Sequence, residues 1–457
     1  MIEAMKIPPF VKSFSSIFKD NGYQCYLVGG ATRDLLMGRV HADWDIATDA
    51  LPEQVMGLFR RVIPTGIKHG TVTVLYERTR FEVTTFRIES GYSDGRRPDS
   101  VVFAPTIFDD LSRRDFTINS IAYDLHMGKL HDPHGGRRDL TKGIIRAIGD
   151  ADERFREDGL RPLRACRFAA QFAFEVEPAT RAAIGRSLET ASGVSRERVR
   201  EEVMKILSSP VPSVGFMLMR ETGLLSLFIP ELAAGAGVTQ GDLHCFDVLE
   251  HSLFACDAAP ASNPTVRLAA LLHDVGKPAC RKLEDGNRIT FHGHETAGSR
   301  MIEEIMRRLK FPNVTIQRTA HLVRHHMFNY TEDWTDAAVR RLVSRVGEDC
   351  ISDLIELRRA DQIGMCNCGA QSLPEGLLRF ISRVNAVIAE DRAFTVKSLA
   401  VDGEDIMERL ALGPGPVIGT ILSELLAAVL EDPAQNNRET LLLIAERLYK
   451  QRIARGS

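Results

Sequence analysis

Two carboxylates separated by a single residue lie near the beginning of the 457-residue chain. Asp43 and Asp45 belong to a stretch, 43–46, whose pattern predicts a β-strand, and residues i and i+2 of a strand point to the same face. Two like charges this close need a cation, and Mg²⁺ suits them because it binds few protein oxygens and fills its other positions with water and substrate phosphates. Glu82, in the alternating stretch 81–83, offers a third oxygen from a neighbouring strand. We therefore predict catalytic roles for Asp43, Asp45 and Glu82, with Mg²⁺ at Asp43 and Asp45; a solvated turn is the alternative for an isolated Asp-x-Asp.

A pair of glycines precedes these carboxylates. Gly29 and Gly30 lie in the stretch LVGGATRDLL, residues 27–36, where the missing side chains let the backbone approach a phosphate closely. Arg33 lies at the beginning of the next predicted helix, and helix N-termini favour anions. This pattern predicts that Gly29, Gly30 and Arg33 bind a nucleotide.

The order of these motifs is informative. Gly-Gly, Arg-Asp and Asp-x-Asp lie within 17 residues, and together they resemble the nucleotidyltransferase superfamily that includes polymerase beta. Three further stretches, HGTVTV at 69–74, FEVTTFR at 81–87 and RRDFTINSIA at 113–122, are similar to those of class II tRNA nucleotidyltransferases, the CCA-adding enzymes and their poly(A) polymerase relatives. The resemblance implies a Mg²⁺-dependent enzyme that adds C, C and A to the tRNA 3′ end from CTP and ATP without a nucleic-acid template.

The resemblance also implies roles for the RRD segment. Arg113 and Arg114 are expected near the triphosphate, and Asp115 and Asn119 near ribose hydroxyls. The chemistry agrees, because guanidinium groups match phosphate oxygens and a carboxylate or amide can bind a hydroxyl. A surface salt cluster is the alternative. The segment 91–102 stands where the family has a loop that switches between C and A addition, which argues against an enzyme restricted to adding CC.

The stretch EDGLRPLRACRF, residues 157–168, resembles the family's EDxxR motif. Asp158 and Arg161 are three residues apart, which predicts that they share one helix face. An ionised Asp only accepts hydrogen bonds and an Arg only donates them. The pair therefore matches the amino group and ring nitrogen of cytosine and adenine and rejects guanine and uracil. An ordinary helix salt bridge is the alternative, and Pro162 departs from the family pattern because proline fits only a helix's first turn.

Two further groups belong to this prediction. The resemblance assigns Arg164 to the nucleotide site. The stretch SRERVREEVMKIL, residues 195–207, matches the family's next helix, where Glu197 and Arg198 are expected to brace the template side chains.

Histidines and acidic residues gather in the second half of the chain. They include LLHDVGKP at 271–278 and FHGHE at 291–295, and the pattern resembles the HD phosphohydrolase superfamily. Imidazole and carboxylate ligands suit Mn²⁺, Ni²⁺, Co²⁺ or Fe²⁺, and such metals activate water for phosphoester cleavage. The alternative is a helical domain that has kept its fold and lost its metal. The resemblance assigns the ligands of a first metal to His251, His273, Asp274 and Asp361. It assigns the additional ligands of a second metal to His294 and to one of His325 and His326, of which we choose His326.

The elements around these motifs predict an α+β protein. Strand and helix patterns alternate from Tyr23 to about Asp132, strand signals vanish beyond Asp150, and the pattern predicts a helix over residues 155–172. The predicted architecture is a polymerase-beta-like nucleotidyltransferase head with a mixed sheet, followed by an all-helical neck, HD domain and tail. The predicted bounds are 1–145 for the head, 146–235 for the neck, 242–379 for the HD domain and 380–457 for the tail, with the glycine-rich segment 235–241 as a boundary.

Composition excludes several classes of protein. Hydrophobic residues at 44% and charged residues at 26% are typical of a folded globular protein. The lack of a long apolar stretch and of a signal peptide predicts a cytoplasmic location and no membrane partner, and eight scattered cysteines indicate reduced thiols. A net charge of −3 does not itself indicate nucleic acid. Three alternatives stay open: a poly(A) polymerase, an A-adding tRNA nucleotidyltransferase, and an HD phosphodiesterase or phosphatase with an RNA-binding head. The sequence also leaves open the product length, the role of the tail and the oligomeric state.

Overall fold

The computed structural model describes residues 6–39, 43–90, 100–241, 245–284, 288–328, 330–331, 333–365, 375–390 and 394–455. The chain divides into two compact units, residues 1–233 and 234–457. The break adjoins the glycine-rich segment 235–241, although the finer division into four domains stays a prediction. None of the helices in the described ranges is long and apolar enough to cross a membrane.

A seven-stranded mixed sheet organises the first unit. The strands of this unit are β1 (Tyr26–Leu27), β2 (Trp44–Thr48), β3 (Val62–Gly66), β4 (Thr71–Tyr76), β5 (Thr79–Thr85), β6 (Arg87–Ser90), β7 (Ser100–Phe103), β8 (Ala122–Asp124), β9 (Lys129–His131), β10 (Ile144–Ile145) and β11 (Glu175–Val176). The sheet order is β3-β4-β5-β2-β1-β8-β9. Its neighbours are antiparallel except β2 and β5, which are parallel. The predicted mixed sheet is therefore present in this unit.

Helices cover the sheet and form the rest of this unit. They are α1 (Pro9–Asp20), α2 (Gly29–Leu36), α3 (Pro52–Leu58), α4 (Ile107–Ser112), α5 (Gly136–Lys142), α6 (Ala151–Glu157), α7 (Arg161–Phe172), α8 (Pro178–Arg186), α9 (Leu188–Ser192), α10 (Arg196–Leu207), α11 (Pro212–Thr222), α12 (Leu224–Phe228) and α13 (Pro230–Ala233). Short 3₁₀ helices lie at Ile67–His69 and Thr117–Asn119. The sequence analysis did not predict α1, which begins at a proline, a residue suited to a helix's first position because its missing N–H has no partner there.

One face of the sheet is closed by aromatic packing. Phe14 of α1 is fully buried and stacks on Phe81 of β5, with ring centroids 3.9 Å apart. Trp44 and Ile46 of β2 and Val83 of β5 belong to the same core. Because side chains alternate along a strand, the residues between them face the other way. The opposite face of β2 and β5 is therefore available for polar groups.

The helix predicted over residues 155–172 is interrupted. Helix α6 ends at Glu157 and α7 begins at Arg161, and the segment between them includes Asp158 in an extended conformation with φ −140° and ψ 109°. Pro162 explains the break, because in a continuous helix its ring would clash with the carbonyl group four residues earlier. At its actual position in the first turn of α7, Pro162 is compatible with the helix.

The second unit is mainly helical. Its helices are α14 (Val248–Ala258), α15 (Pro264–Leu272), α16 (Lys277–Cys280), α17 (His294–Arg308), α18 (Asn313–His325), α19 (Asp336–Val346), α20 (Glu348–Gly364), α21 (Glu375–Glu390), α22 (Gly403–Leu410), α23 (Pro416–Glu431) and α24 (Arg438–Arg455), with 3₁₀ helices at Val396–Ser398 and Pro433–Gln435. Helix α14 packs against α15 and α20, and α17 packs against α18. The last three helices share a separate hydrophobic cluster that includes Ile406, Leu425 and Leu441.

Strands do occur beyond Asp150, contrary to the prediction. β11 pairs with β10 in the first unit, and β12 (Lys282–Glu284) pairs with β13 (Arg288–Thr290) in the second. Each has two or three residues, which is too short for the alternation of side chains to give a signal in the sequence.

Candidate active site and metal centre

The pairing of β2 with β5 positions the first predicted carboxylates. Asp45 lies directly opposite Glu82 in the parallel register, and both side chains face away from the aromatic core. Asp43 precedes β2 by one residue and is exposed. All three residues line one cleft of about 1490 Å³. The carboxylate oxygens of these three residues do not all lie within 4.8 Å of one another. Among the described residues, three or more potential metal ligands lie that close together only in the second unit.

Gly29 brings the beginning of α2 against this site. Its φ of +61° lies in the left-handed region, where a side chain is strained. A Cβ atom at this position would lie 3.0 Å from Arg114 Nη1 and 3.2 Å from Asp45 Oδ2. Glycine is therefore required here by both conformation and close approach. Gly30, the next residue, also lines the cleft.

Arg33 lines the cleft but its side chain is almost fully buried. Its guanidinium donates to Asn119 Oδ1 at 2.6 Å and to Asp34 Oδ1 at 2.9 Å, and it lies over the rings of Phe168 and Phe172 at 5.2 and 4.7 Å. These contacts join α2, the RRD segment and α7. In this conformation Arg33 supports the cleft wall rather than presenting an open guanidinium to phosphate.

Arg113 and Arg114 converge on a carboxylate that the sequence analysis missed. Arg113 donates to Asp110 Oδ1 from Nε at 2.9 Å and from Nη2 at 2.7 Å, and Arg114 donates to Asp110 Oδ2 from Nη2 at 3.0 Å. Asp110 is fully buried. Burial raises the pKa of Asp110, but the charges of the two arginines outweigh this effect and lower it below its ordinary value. The available signal was the position of Asp110 three and four residues before Arg113 and Arg114, a spacing at which side chains meet on a helix but which forms no motif of its own.

Asp115 and Asn119 are held within a buried network. Asp115 accepts hydrogen bonds from Asn119 Nδ2 at 2.9 Å and from Arg164 Nε at 2.7 Å, and also from the Phe116 amide at 2.8 Å. Burial raises the pKa of Asp115, but the charge of Arg164 and the bond from Asn119 outweigh it and hold the pKa well below its ordinary value. Asp115 is therefore an anion in the wall of the cleft.

Asp158 and Arg161 line the same cleft, but the predicted shared helix face is wrong. Because α6 ends before Asp158 and α7 begins at Arg161, the two side chains do not lie on one helix and make separate contacts. Asp158 accepts from Arg198 Nη2 at 3.0 Å and Nη1 at 3.3 Å. Arg161 donates to Glu157 Oε2 at 2.5 Å and, through Nη2, to the Arg113 carbonyl oxygen at 3.1 Å. The template segment is thus fixed to α10 on one side and to the RRD segment on the other.

Further cations line the cleft. Arg164, which was predicted to bind the nucleotide, is joined there by two residues that were not predicted, Arg167 and Lys205. Arg167 forms an ion pair with the buried Glu202 at 3.2 Å and lies 4.2 Å from the centroid of the Phe168 ring. Burial lowers the pKa of Arg167 to about 10, so this side chain still carries its charge at neutral pH. A cleft larger than the ~300–1,000 Å³ of small-molecule pockets and lined by many arginines suits a polyanion.

Four histidines of the second unit form a buried cluster: His251, His273, His294 and His326. His251 Nε2 lies 3.0 Å from His273 Nε2, and Asp361 Oδ1 lies 3.1 Å from His251 Nε2 and 3.5 Å from His273 Nε2. Asp274 Oδ2 lies 3.1 Å from His273 Nε2, and Asp274 Oδ1 lies 3.4 Å from His294 Nε2. Asp274 therefore belongs to both groups of potential ligands, one with His251 and His273 and one with two further histidines, His294 and His326.

Backbone contacts orient three of these imidazoles. His273, His294 and His326 each have Nδ1 within 2.7–2.8 Å of the carbonyl oxygen three residues earlier. When such an imidazole is neutral and Nδ1 donates to this carbonyl oxygen, the lone pair of Nε2 faces the cluster. The Nε2 atoms of His294 and His326 are buried, and neither has a hydrogen-bond partner among the described residues. Such a donor set fits a transition metal.

The electrostatics of the cluster favour added positive charge. Burial lowers the pKa of His273, but Asp274 outweighs it and raises the pKa to about 10. Burial lowers the pKa of His326 to about 4, which keeps this imidazole neutral. Lys277 Nζ lies 2.6 Å from Asp274 Oδ2, and Arg358 donates to Asp361 Oδ2 at 2.6 Å. The two buried carboxylates therefore attract cations from several directions.

Comparison with known proteins finds family matches for the parts of the chain that contain most of these site residues. Residues 25–146 match the Poly A polymerase head domain, residues 173–235 match the probable RNA and SrmB-binding site of polymerase A, and residues 242–365 match the HD domain. A CCA-adding enzyme of Geobacillus kaustophilus is 35% identical over 439 residues, which are 95% of this chain and 96% of the relative. The chain belongs to the tRNA nucleotidyltransferase family of the CCA-adding enzymes.

Other members of this family are also similar along most of their length. The A-adding tRNA nucleotidyltransferase of Deinococcus radiodurans is 35% identical over 415 residues, 88% of this chain and 90% of the relative. The solved structure of the Bacillus stearothermophilus CCA-adding enzyme in complex with CTP is 30% identical, with a TM-score of 0.76, and the match covers 98% of this chain and all of the other. The predicted family, fold class and enzyme class are confirmed. A nucleotidyltransferase head together with an HD domain also implies dependence on divalent metal.

Proposed function

We propose that this tRNA nucleotidyltransferase adds C, C and A to the 3′ end of tRNA, using CTP and ATP without a nucleic-acid template. The observation that carries the proposal is a single cleft lined by the carboxylates Asp45 and Glu82, the paired arginines of the RRD segment and the two groups of the template segment, Asp158 and Arg161. Carboxylates for a metal, cations for a triphosphate and groups able to read a base are the parts that template-free addition requires.

Asp43, Asp45 and Glu82 supply the oxygen ligands in this proposal, and the metal is Mg²⁺. A bound Mg²⁺ would activate the tRNA 3′-hydroxyl and neutralise charge on the transferred nucleotide. Arg113 and Arg114 bind the triphosphate and draw its charge toward the beginning of α2. Arg114 lies beside Gly29, and the absence of a side chain at this glycine lets the backbone approach a phosphate closely.

The walls of the cleft supply the remaining contacts. Asp115 and Asn119 lie beside the RRD arginines, and we assign them to the ribose hydroxyls. Both are already engaged in the buried network, so a ribose would exchange one of their present contacts rather than meet an unpaired group. Arg164, one-third exposed, lies next to them and can reach the nucleotide from α7.

Base selection in this proposal depends on hydrogen-bond polarity. Asp158 accepts from the amino group of cytosine or adenine, and Arg161 donates to the ring nitrogen. Both groups have other partners in this conformation, namely Arg198 for Asp158 and Glu157 with two carbonyl oxygens for Arg161. Reading a base therefore requires that nucleotide binding exchange these contacts for contacts with the base.

Incorporation onto defined tRNAs tests the proposal. The tRNA would lack its last three nucleotides, and the purified protein would receive CTP alone, ATP alone, or both in Mg²⁺. CCA addition predicts two added nucleotides with CTP and three with both. An A-adding enzyme would leave this tRNA unchanged with CTP and extend only tRNA ending in CC, and a poly(A) polymerase would make long tails from ATP.

The A-adding alternative has a specific basis. The full-length identity to a CCA-adding enzyme and to an A-adding enzyme is the same, 35% in each case. The loop that the sequence analysis linked to switching between C and A lies mostly at 91–99, outside the described residues. CTP incorporation onto the truncated tRNA is therefore the decisive measurement.

We propose a second, metal-dependent phosphoesterase activity for the HD domain. His251, His273, Asp274 and Asp361 would hold a first metal, and His294 and His326, which also adjoin Asp274, would hold a second. Mn²⁺, Ni²⁺, Co²⁺ or Fe²⁺ suits this donor set and would supply an activated water.

Metal analysis of the purified protein and hydrolysis of 2′,3′-cyclic nucleotides in each of these metals would test this activity. Lack of binding and hydrolysis with all four metals would leave the domain a structural role. The second alternative, an HD phosphodiesterase with a merely RNA-binding head, is disfavoured by the carboxylates and arginines gathered in the head cleft. With tRNA as substrate, the proposed location is the cytoplasm.

A further inference from the structure

Asp110 lies outside the residues that we assign to metal, phosphate, sugar or base. It belongs to α4, where Ile107, Asp110 and Leu111 form the buried face. Placing a carboxylate among apolar residues is costly unless its charge is compensated. The two guanidinium groups of Arg113 and Arg114 provide that compensation. The carboxylate and the two arginines therefore form one buried, charge-paired unit at the end of α4.

The geometry of this unit divides the carboxylate between the two arginines. One oxygen receives both Nε and Nη2 of Arg113, and the other receives Nη2 of Arg114. Receiving two bonds on one oxygen fixes the plane of the Arg113 guanidinium. Arg114 Nη1 extends beyond this contact to the Gly29 turn, where it would lie 3.0 Å from an added Cβ. Asp110 thus determines where both positive charges face the cleft.

The backbone of the segment is held independently. The Arg113 carbonyl oxygen accepts a bond from Arg161, and the Arg114 amide donates to the Leu111 carbonyl oxygen at 3.3 Å. The hydroxyl of Ser120 donates to the same Leu111 oxygen at 2.9 Å. The polypeptide therefore remains in place when the carboxylate is altered, whereas the arginine side chains lose their common anchor.

We propose that Asp110 is a positioning residue that aligns Arg113 and Arg114 as a rigid two-armed binding site for the triphosphate. The inference rests on the proposed nucleotide addition. It assigns to Asp110 the recognition of the triphosphate common to CTP and ATP, and no part in the choice of base. Positioning and net charge make opposite predictions, because removing the carboxylate increases the positive charge at the site but leaves the arginines free to change rotamer.

Steady-state kinetics of Asp110→Asn test the proposal. We expect KM to rise about tenfold or more for CTP and ATP alike, as expected for the loss of oriented charged hydrogen bonds, with an unchanged ratio of CTP to ATP use. Inhibition by pyrophosphate should weaken by a similar factor, whereas inhibition by cytidine, which has no phosphate, should not change. A role in folding alone would not separate these two inhibitors.

Asp109→Asn is the matched control. Asp109 is the neighbouring carboxylate on α4, but it faces the Thr106 hydroxyl at 2.5 Å, so this variant should retain the wild-type KM. An unchanged or lower KM in Asp110→Asn, or equal weakening of pyrophosphate and cytidine, would overturn the proposal. If the wild-type protein adds no nucleotide, the proposed function fails instead.

A second variant tests the same contact if Asp110→Asn does not fold. Arg113→Lys retains the positive charge but cannot donate twice to one oxygen in a fixed plane. We expect the same rise in KM for both nucleotides and the same weakening of pyrophosphate inhibition. A wild-type KM in Arg113→Lys would show that charge without orientation is sufficient and would contradict the proposal.

Discussion

Replacing Asp115 by asparagine should distinguish the stabilisation given by a buried ion pair from that given by an exposed ion pair of the same residue types. Asp115 receives Nε and Nη2 of Arg164 at 2.7 and 2.6 Å and is 7% exposed. On the surface, Asp152 receives Nε and Nη2 of Arg186 at 2.8 and 2.7 Å. The distances are similar, but Asp115 receives both nitrogens on Oδ2 and also accepts from Asn119 and the Phe116 amide, whereas Asp152 receives one nitrogen on each oxygen. The comparison of Asp115→Asn with Asp152→Asn therefore contrasts a buried ion pair within a network with an exposed pair of the same residue types.

The expected loss of stability in Asp115→Asn follows from the Arg164 charge that the substitution leaves without its carboxylate partner. Removing one partner of a buried pair costs about 3–5 kcal/mol. The Arg164 side chain is 32% exposed, so solvent screens part of the loss, and we expect roughly 2–3 kcal/mol. For a unit of this size each kcal/mol lowers Tm by about 2–4 °C, which predicts a decrease of about 4–12 °C for Asp115→Asn. Asp152→Asn should remain close to the wild type.

Thermal unfolding followed by calorimetry at several pH values is the assay. The folded-state pKa of Asp115 is lowered, so its carboxylate stabilises the fold above the unfolded-state pKa of about 4 and loses this effect as the pH falls below that value. The difference between wild type and Asp115→Asn should therefore be full at pH 7 and decrease below about pH 4. Equal Tm values for the two variants at pH 7, or a difference that grows in acid, would refute the reasoning.

Three further predictions concern the two sites. Asp43→Asn and Asp45→Asn should lower nucleotide addition by several orders of magnitude while tRNA binding, measured by filter retention, persists; near-normal addition in Mg²⁺ would contradict the metal assignment. Mn²⁺ at one hundred times its Kd should stabilise the wild-type protein by about 2.7 kcal/mol. Asp274→Asn should abolish this stabilisation without affecting nucleotide addition, and an unaltered Mn²⁺ response in the variant would rule out Asp274 as a ligand. Asp158→Ala should weaken discrimination against UTP and GTP by roughly ten- to a hundredfold, and Arg198→Ala should do so less; unchanged selectivity in both would mean that other residues read the base.

Much of the head could be predicted because its signals are local. In a strand, alternation determines which side chains share a face, so the sequence alone predicted that the side chains of Asp45 and Glu82 point away from their apolar neighbours. Their direct register could not be predicted, since pairing of β2 with β5 depends on a connection that crosses the sheet. The residues of the histidine cluster, including Asp274, were predicted by resemblance. That Asp274 belongs to both groups of potential ligands depends on the packing of helices in the second unit and could not be predicted.

The differences between the sequence-based expectations and the observed side-chain contacts share a physical cause. A side chain that is expected to contact ligand from its residue type can instead be committed to a neighbour that lies far away in the sequence. Arg33 is committed to Asn119, which is 86 residues further along the chain. Asp110 was overlooked because a buried acid has no motif of its own. The helix break before Arg161 was signalled by Pro162, but the sequence analysis treated the proline as a departure from the family rather than as a boundary.

The break between helices α6 and α7 changes what controls the accuracy of base selection. If the two groups that we propose to read the base lay on one helix, their separation would be set by the helix geometry and would hardly vary. Instead Asp158 is held by Arg198 of α10, and Arg161 begins α7, so their separation depends on how two helices pack. Buried apolar side chains of these helices, such as Val203 of α10, do not line the cleft, yet a change in their volume would alter the gap that a base must fit. Misincorporation should therefore respond to substitutions in the hydrophobic interior, and to heating, before the rate of correct addition declines.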